Sequence, residues 1–141
     1  MEILGIIPAR GGSKSIPMKN LALLGGKPLL AWTCSAATAS KMLTRVIVST
    51  DDEKIAETAR SYGMEVPFLR PAEFAADDTP ALAVIQHALV HFEKEEKYIP
   101  DIVVYLQPTS PLRRGEHIDG TITALLESKA DSAISVVEVP H

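Results

Sequence analysis

Cys34 is the sole cysteine, so no intramolecular disulfide can form and a cysteine-rich zinc site is excluded. A basic excess is missing too: 14 Lys and Arg stand against 18 Asp and Glu, a formal net charge of −4. That balance argues against a general nucleic-acid binder, although it leaves room for a local basic site. No apolar run approaches the roughly 20 residues a membrane helix needs. The N-terminus is strand-like, without the pattern of a signal peptide, and a soluble cytoplasmic protein is the expectation. Internal repeats, low-complexity stretches and linkers are absent as well. What remains is ordinary for a globular chain, with 141 residues, 46% hydrophobic and 23% charged. That length predicts one domain, large enough to bury about 68–70% of its unfolded surface.

The order of elements is more telling than the composition. Ile3-Leu4-Gly5-Ile6-Ile7 is a short unalternated apolar run ended by Pro8, which suits a strand buried on both faces of a parallel sheet. Residues 29–39 are Ala-rich behind Pro28 and predict a helix. Residues 45–49 (RVIVS) read as a strand, 52–62 as a helix closed by Gly63, and 64–69 as a third, shorter strand. A helix over 79–94 carries Leu82, Ile85, Leu89 and Phe92 at spacings of three and four. Residues 101–106 (DIVVYL) predict a fourth strand ended by Pro108 and Pro111, 115–128 a helix, and 132–137 a last strand. Strands alternating with helices imply βαβ crossovers, and so a three-layer αβα sandwich around a mostly parallel, Rossmann-like sheet. In such sheets ligands bind beyond the carboxyl ends of the strands. The stretches to inspect are therefore 9–20, 49–52, 70–79 and 107–113.

The first of these, Ala9-Arg10-Gly11-Gly12-Ser13-Lys14-Ser15-Ile16-Pro17-Met18-Lys19-Asn20, packs three cations, two glycines and two serines into twelve residues. Glycines let backbone N–H groups approach an anion, and Arg and Lys neutralise phosphate charge. Neither the Walker A spacing nor the G-x-G-x-x-G fingerprint is present. A solvated surface loop is the competing reading, and placement after the first strand of a parallel sheet favours phosphate.

The longer string IIPARGGSKSIPMKN resembles the opening motif of the acylneuraminate cytidylyltransferases, the CMP-sialic acid synthetases. Leu69-Arg70-Pro71-Ala72-Glu73 with Asp77-Asp78-Thr79, then Leu106-Gln107-Pro108-Thr109-Ser110-Pro111-Leu112-Arg113, and finally Asp131-Ser132-Ala133-Ile134-Ser135-Val136 fit the same family in the same order. The resemblance covers essentially the whole chain. It implies a nucleotide-diphospho-sugar transferase type of fold and a cytidylyltransferase that joins CTP to an acidic nine-carbon sugar and releases pyrophosphate.

Carried over by position, the resemblance makes Arg10 and Lys19 the catalytic cations that hold the CTP phosphates as the α-phosphate is attacked. Ser13 and Lys14 would help cradle the phosphates, and Asn20 and Arg70 would contact the nucleotide. Thr79 falls where the family places a hydroxyl near the cytidine, although Ala81 replaces a second hydroxyl that relatives carry. Gln107 would lie between nucleotide and acceptor, its amide able to donate and accept. Bland alternatives stand beside several of these. Lys14 suits an exposed lysine, Thr79 a helix cap, and Arg113 either a carboxylate partner or a solvated arginine.

Asp51 and Asp52 follow a strand end and invite a metal reading. Thr50-Asp51-Asp52-Glu53 also satisfies a T-x-x-E capping box, which is the better explanation. His87 and His91 lack the H-E-x-x-H pattern and read as surface or core-edge histidines, and Cys34 as a small buried residue. No metal ligand is assigned.

The resemblance has two internal limits. Related 3-deoxy-manno-octulosonate cytidylyltransferases carry an acid just after the fourth-strand Gln, where this chain has Pro108-Thr109-Ser110. That departure favours the acylneuraminate branch, including relatives that activate pseudaminic or legionaminic acid. Family members also continue well past the strand expected near the end of this chain, and that portion supplies Mg²⁺ ligands, a dimer arm and much of the sugar pocket. The whole of 1–141 is then expected to be one domain, the N-terminal nucleotide-binding portion of the family fold. Mg²⁺ and a homodimer are family expectations, and the alternatives to the enzyme are a catalytically incompetent CTP-binding module or a 3-deoxy-manno-octulosonate cytidylyltransferase relative. Neither nucleic acid nor membrane is expected as a partner.

Overall fold

A computed structural model describes residues 1–13 and 15–140 of the chain. Strand β1 (Ile3–Pro8) lies at the centre of a parallel sheet of order β4-β1-β5, with β4 spanning Arg45–Ser49 and β5 Ile102–Tyr105. Leu4 pairs with Arg45 on one side and with Val103 on the other. The continuous apolar run of β1 follows from this position, since both faces of a central parallel strand are covered.

The pleat divides that run between two cores. Ile3 and Ile7 join Val48 and Leu106 on one face, against α1 (Leu29–Ala39), α2 (Glu53–Ser61) and α4 (Gly115–Ser128). Leu4 and Ile6 join Ile47 on the other, against Ala88 and Phe92 of α3 (Ala81–Glu96). Helices on both faces of a parallel sheet make the expected three layers. Cys34 is buried in α1, and burial pushes its thiol up to about 12. Gly115 opens α4 where a Cβ would come within 2.7 Å of the Ala39 backbone, so only glycine lets α4 close on the end of α1.

Several boundaries differ from the sequence expectation, each for a local reason. Residues 64–69 contribute two isolated parallel bridges, Ile47 to Glu65 and Thr50 to Leu69, rather than a strand. Pro67 interrupts the run and has no N–H to give to a ladder. Residues 132–137 form no strand either and are exposed, with Ile134, Val136 and Val137 among the most exposed apolar residues. Their β-branched composition favours strand only where neighbours pack on it. Helix α3 starts at Ala81, because Pro80 disfavours helical geometry in Thr79. A feature the sequence reading lacks is the small hairpin of β2 (Leu23–Leu24) and β3 (Lys27–Pro28), whose turn residues Gly25 and Gly26 have φ of 58° and 83°. The indole N–H of Trp32 donates to the Leu24 carbonyl at 2.9 Å and holds this hairpin to α1.

Asp119 of α4 ties the far end of α1 to the sheet. Its carboxylate accepts from the Ser40 hydroxyl at 2.5 Å and from the Lys41 and Met42 N–H groups at 2.9 and 3.3 Å. Partial burial raises its pKa, but these bonds outweigh burial and hold the carboxyl below the usual range. A depressed carboxylate stabilises the fold above its unfolded pKa, and that stability is lost as pH falls through the folded value. Asp119→Ala is therefore expected to cost about 1 kcal/mol near neutrality, discounted for solvent screening. The gap to wild type should shrink at acid pH, and paired denaturant melts at pH 7 and in the acid range check it.

Candidate functional site

The loop after β1 is built before any ligand arrives. Asp51 follows β4, and its carboxylate accepts the Gly11 N–H at 2.8 Å. Asn20 is only 8% exposed, and its amide donates to the Arg10 carbonyl at 3.1 Å. Glycine suits position 11, since a Cβ there would sit 3.0 Å from the Asp52 Cβ, tighter than ordinary contact. The Ser13 hydroxyl accepts the Ile16 N–H at 3.4 Å, and Met18 takes a left-handed φ of 49° before the short 3-10 turn Lys19–Leu21. The backbone is thus folded into a fixed cradle whose cations extend from it.

Asp52, and not Thr50, caps α2. The Asp52 carboxylate accepts the Ile55 N–H at 3.0 Å, while the Thr50 hydroxyl accepts the Asp52 N–H at 3.1 Å. The capping box expected at Thr50 and Glu53 does not form, because Thr50 is still held in the sheet by its bridge to Leu69.

Among the described residues Arg70 is the one buried charge. It is 4% exposed, and its guanidinium donates to the Ser49 hydroxyl at 3.0 Å, the Ser49 carbonyl at 2.9 Å and the Phe74 carbonyl at 2.7 Å. Burial lowers its pKa, partly opposed by the nearby Asp51 charge. Three of its five N–H groups are engaged by the protein's own oxygens, and two are left for other partners.

These pieces meet in one cleft beyond the carboxyl ends of the strands. Arg10, Ser13, Lys19 and Asn20 from the first loop line it with Arg70, Thr79 and Gln107, so the described residues singled out in the sequence share one surface. Lys14 lies outside the described residues. Thr79 is not the cap of α3, since Pro80 takes that position. Its hydroxyl instead accepts the Ala76 N–H at 3.0 Å within a tight turn. Arg113 is only partly solvated. It is half-buried and donates back to the Gln107 carbonyl at 3.1 Å, and burial lowers its pKa.

Among the cleft residues that carry no role in the sequence reading are Asp77, Val84 and Tyr105. Tyr105 ends β5, and that strand-end position is the signal that marks it. Burial raises the pKa of its phenol, partly offset by Arg70. Asp77 forms an ion pair with Arg10 across 67 residues of sequence. His87 and His91 lie off this cleft, edge-on to Phe68 with ring centroids 4.7 and 4.8 Å away. Burial lowers the pKa of His87, reinforced by His91 and Arg70.

The donor set does not fit a resident metal ion. Among the described residues no three His, Cys, Asp or Glu side chains cluster as ligands. The two acids nearest the β4 end each accept a backbone N–H, Asp51 from Gly11 and Asp52 from Ile55. What the cleft offers is cationic and amide donors, the chemistry that receives phosphate and sugar hydroxyls.

Comparison with known proteins agrees with that chemistry. Residues 4–141 match the family model described as Cytidylyltransferase. The chain is 42% identical to CMP-N,N'-diacetyllegionaminic acid synthase of Legionella pneumophila over 99% of its own length and 58% of that protein. It is 41% identical to pseudaminic acid cytidylyltransferase of Campylobacter jejuni, over all of this chain and 60% of that protein. The chain thus spans somewhat under two thirds of these relatives. A solved CMP:2-keto-3-deoxy-manno-octonic acid synthetase complexed with CTP shares the fold at a TM-score of 0.77, with 22% identity, over 92% of this chain and 49% of that one. A cytidylyltransferase from Leptospira borgpetersenii superposes with a TM-score of 0.70 at 26% identity, over 92% of this chain and 51% of that one.

Proposed function

The chain belongs to the cytidylyltransferase family, and on that premise we propose that its cleft is the nucleotide half of an enzyme activating a nonulosonic acid with CTP. The observation that carries the reading is the convergence of Arg10, Ser13, Lys19, Asn20, Arg70, Thr79 and Gln107 on one surface. In the proposed reaction the anomeric hydroxyl of the acidic sugar attacks the α-phosphorus of CTP in line. A new oxygen–phosphorus bond forms, the bond between the α-phosphorus and the bridging oxygen breaks, and pyrophosphate leaves. The hydroxyl proton passes to solvent or to the departing phosphate.

Such transfer depends on positioning and on neutralising charge around the phosphate oxygens. Arg10 and Lys19 supply that charge, and the Gly11–Gly12 backbone with Ser13 and Lys14 completes the cradle. Arg70 and Thr79 stand at the nucleotide end. Gln107 faces the acceptor, its amide suited to sugar hydroxyls. Relatives named for legionaminic and pseudaminic acids support a nonulosonic acceptor, as does Pro108-Thr109-Ser110 after Gln107. Mg²⁺ belongs to this reading as a family expectation, and no step is assigned to it on these residues. A homodimer and a cytoplasmic location are carried with the reading in the same way.

The test is calorimetric titration of CTP into the 141-residue chain with Mg²⁺, using UTP and ATP as controls. Selective CTP binding is expected, and equal binding of all three would reduce the site to a phosphate cradle. A pyrophosphate-release assay with N-acetylneuraminic, legionaminic and pseudaminic acids then separates the enzyme from a module that only holds CTP.

A further inference from the structure

Among the described residues lining the cleft, Asp77 is the single acid, sharing the lining with the cations Arg10, Lys19 and Arg70. Its carboxylate is paired with Arg10, and the two side chains are 39% and 32% exposed, so the pair sits at the cleft surface rather than in the core. The segment that presents it is tied down on either side. Arg70 holds the Phe74 carbonyl before it, and the Thr79 hydroxyl and N–H close a turn with Ala76 around it. Asp77 is therefore aimed at Arg10 by a braced turn, not by a free side chain on a mobile strand.

We propose that Asp77 is an affinity-tuning residue that competes with the ligand's phosphate for Arg10. A carboxylate and a phosphate offer a guanidinium the same paired oxygens, and the phosphate carries the greater charge. The carboxylate meets Arg10 with the kind of oxygen a phosphate would offer. A ligand gains Arg10 only by displacing it, and the polyphosphate chain then repels the released carboxylate. The site thereby weakens its hold on every ligand that uses Arg10, which favours turnover over tight retention of the nucleotide. This inference rests on the reading that the cleft takes CTP.

The experiment measures CTP affinity of wild type, Asp77→Asn and Asp78→Asn by calorimetry, without divalent ions, at low and at moderate salt. Asn is isosteric and Asp77 is exposed, so the fold is expected to survive, which thermal melts check. Asp77→Asn should bind CTP roughly two- to five-fold tighter at low salt, the range of a partly exposed ion pair, with the gain shrinking as salt rises. Asp78→Asn removes the same charge one residue away and should leave affinity within measurement error. Unchanged or weaker binding by Asp77→Asn overturns the proposal, as does an equal gain from Asp78→Asn. Wild-type binding of CTP with no gain in Asp77→Asn would sink the competition alone. No CTP binding by wild type, even with Mg²⁺, would remove the cytidylyltransferase reading and this inference together.

Discussion

Arg70→Ala is expected to destabilise the fold by about 3 kcal/mol, lowering the melting temperature by roughly 10 °C. The side chain is 4% exposed and joins three oxygens belonging to Ser49 and Phe74. Its removal leaves the buried Ser49 hydroxyl without its donor, strips one of two donors from the Ser49 carbonyl, and opens a void where the guanidinium lay. Arg70→Lys should recover only part of the loss, because one ammonium cannot reproduce a fork that spans the β4 end and the 3-10 turn Ala72–Phe74. Denaturant melts of the three proteins check this. An alanine variant as stable as wild type would show that these contacts hold nothing together. The same substitution should weaken CTP binding, so stability and affinity fall together at this position.

Arg10→Ala and Lys19→Ala are expected to behave in the opposite manner. Both side chains are partly exposed and line the cleft, and neither joins the packed cores. Stability should stay within about 0.5 kcal/mol of wild type, as for surface positions generally. CTP affinity should fall about ten- to hundred-fold for each, the range of a charge-assisted hydrogen bond lost to phosphate. Calorimetric titration paired with melting separates the two effects. Wild-type affinity in both variants would refute the proposed role of these cations.

Much of this architecture was legible in the residues. Helices α1 and α4 run over the ranges their patterns predict, because each starts at strong local signals: Pro28 before α1, and Pro108 and Pro111 ahead of α4, which Gly115 opens. The rule that ligands lie beyond strand ends directed attention to the segments that line the cleft. What was not legible depends on partners distant in sequence. Nothing in Leu69-Arg70-Pro71 says that the guanidinium turns inward to Ser49, 21 residues away. Thr50 and Thr79 both carry the chemistry of a cap, yet the sheet bridge at Leu69 claims the first and Pro80 displaces the second. Residues 64–69 and 132–137 have strand composition, but pairing is a property of two segments and composition of one. Arg10 and Asp77 belong to separate motifs, and only the fold makes them a pair.

Helix α3 covers its face of the sheet unaccompanied, whereas three helices share the other. Its core is correspondingly small, centred on Phe92, Ala88, Leu4, Ile6 and Ile47. The first turns of this helix also supply Val84 to the cleft, and the braced Asp77 segment leads directly into it. The wall of the cleft is therefore mounted on the lighter half of the molecule. Cooperative units with few packed neighbours open at lower free energy than the global transition. On the proposed reading, nucleotide entry and release would draw on excursions of α3 while the β1 cradle, anchored in the larger core, stays folded. Evolution of a tighter or looser site can proceed by repacking around Phe92, without touching a residue that meets the ligand.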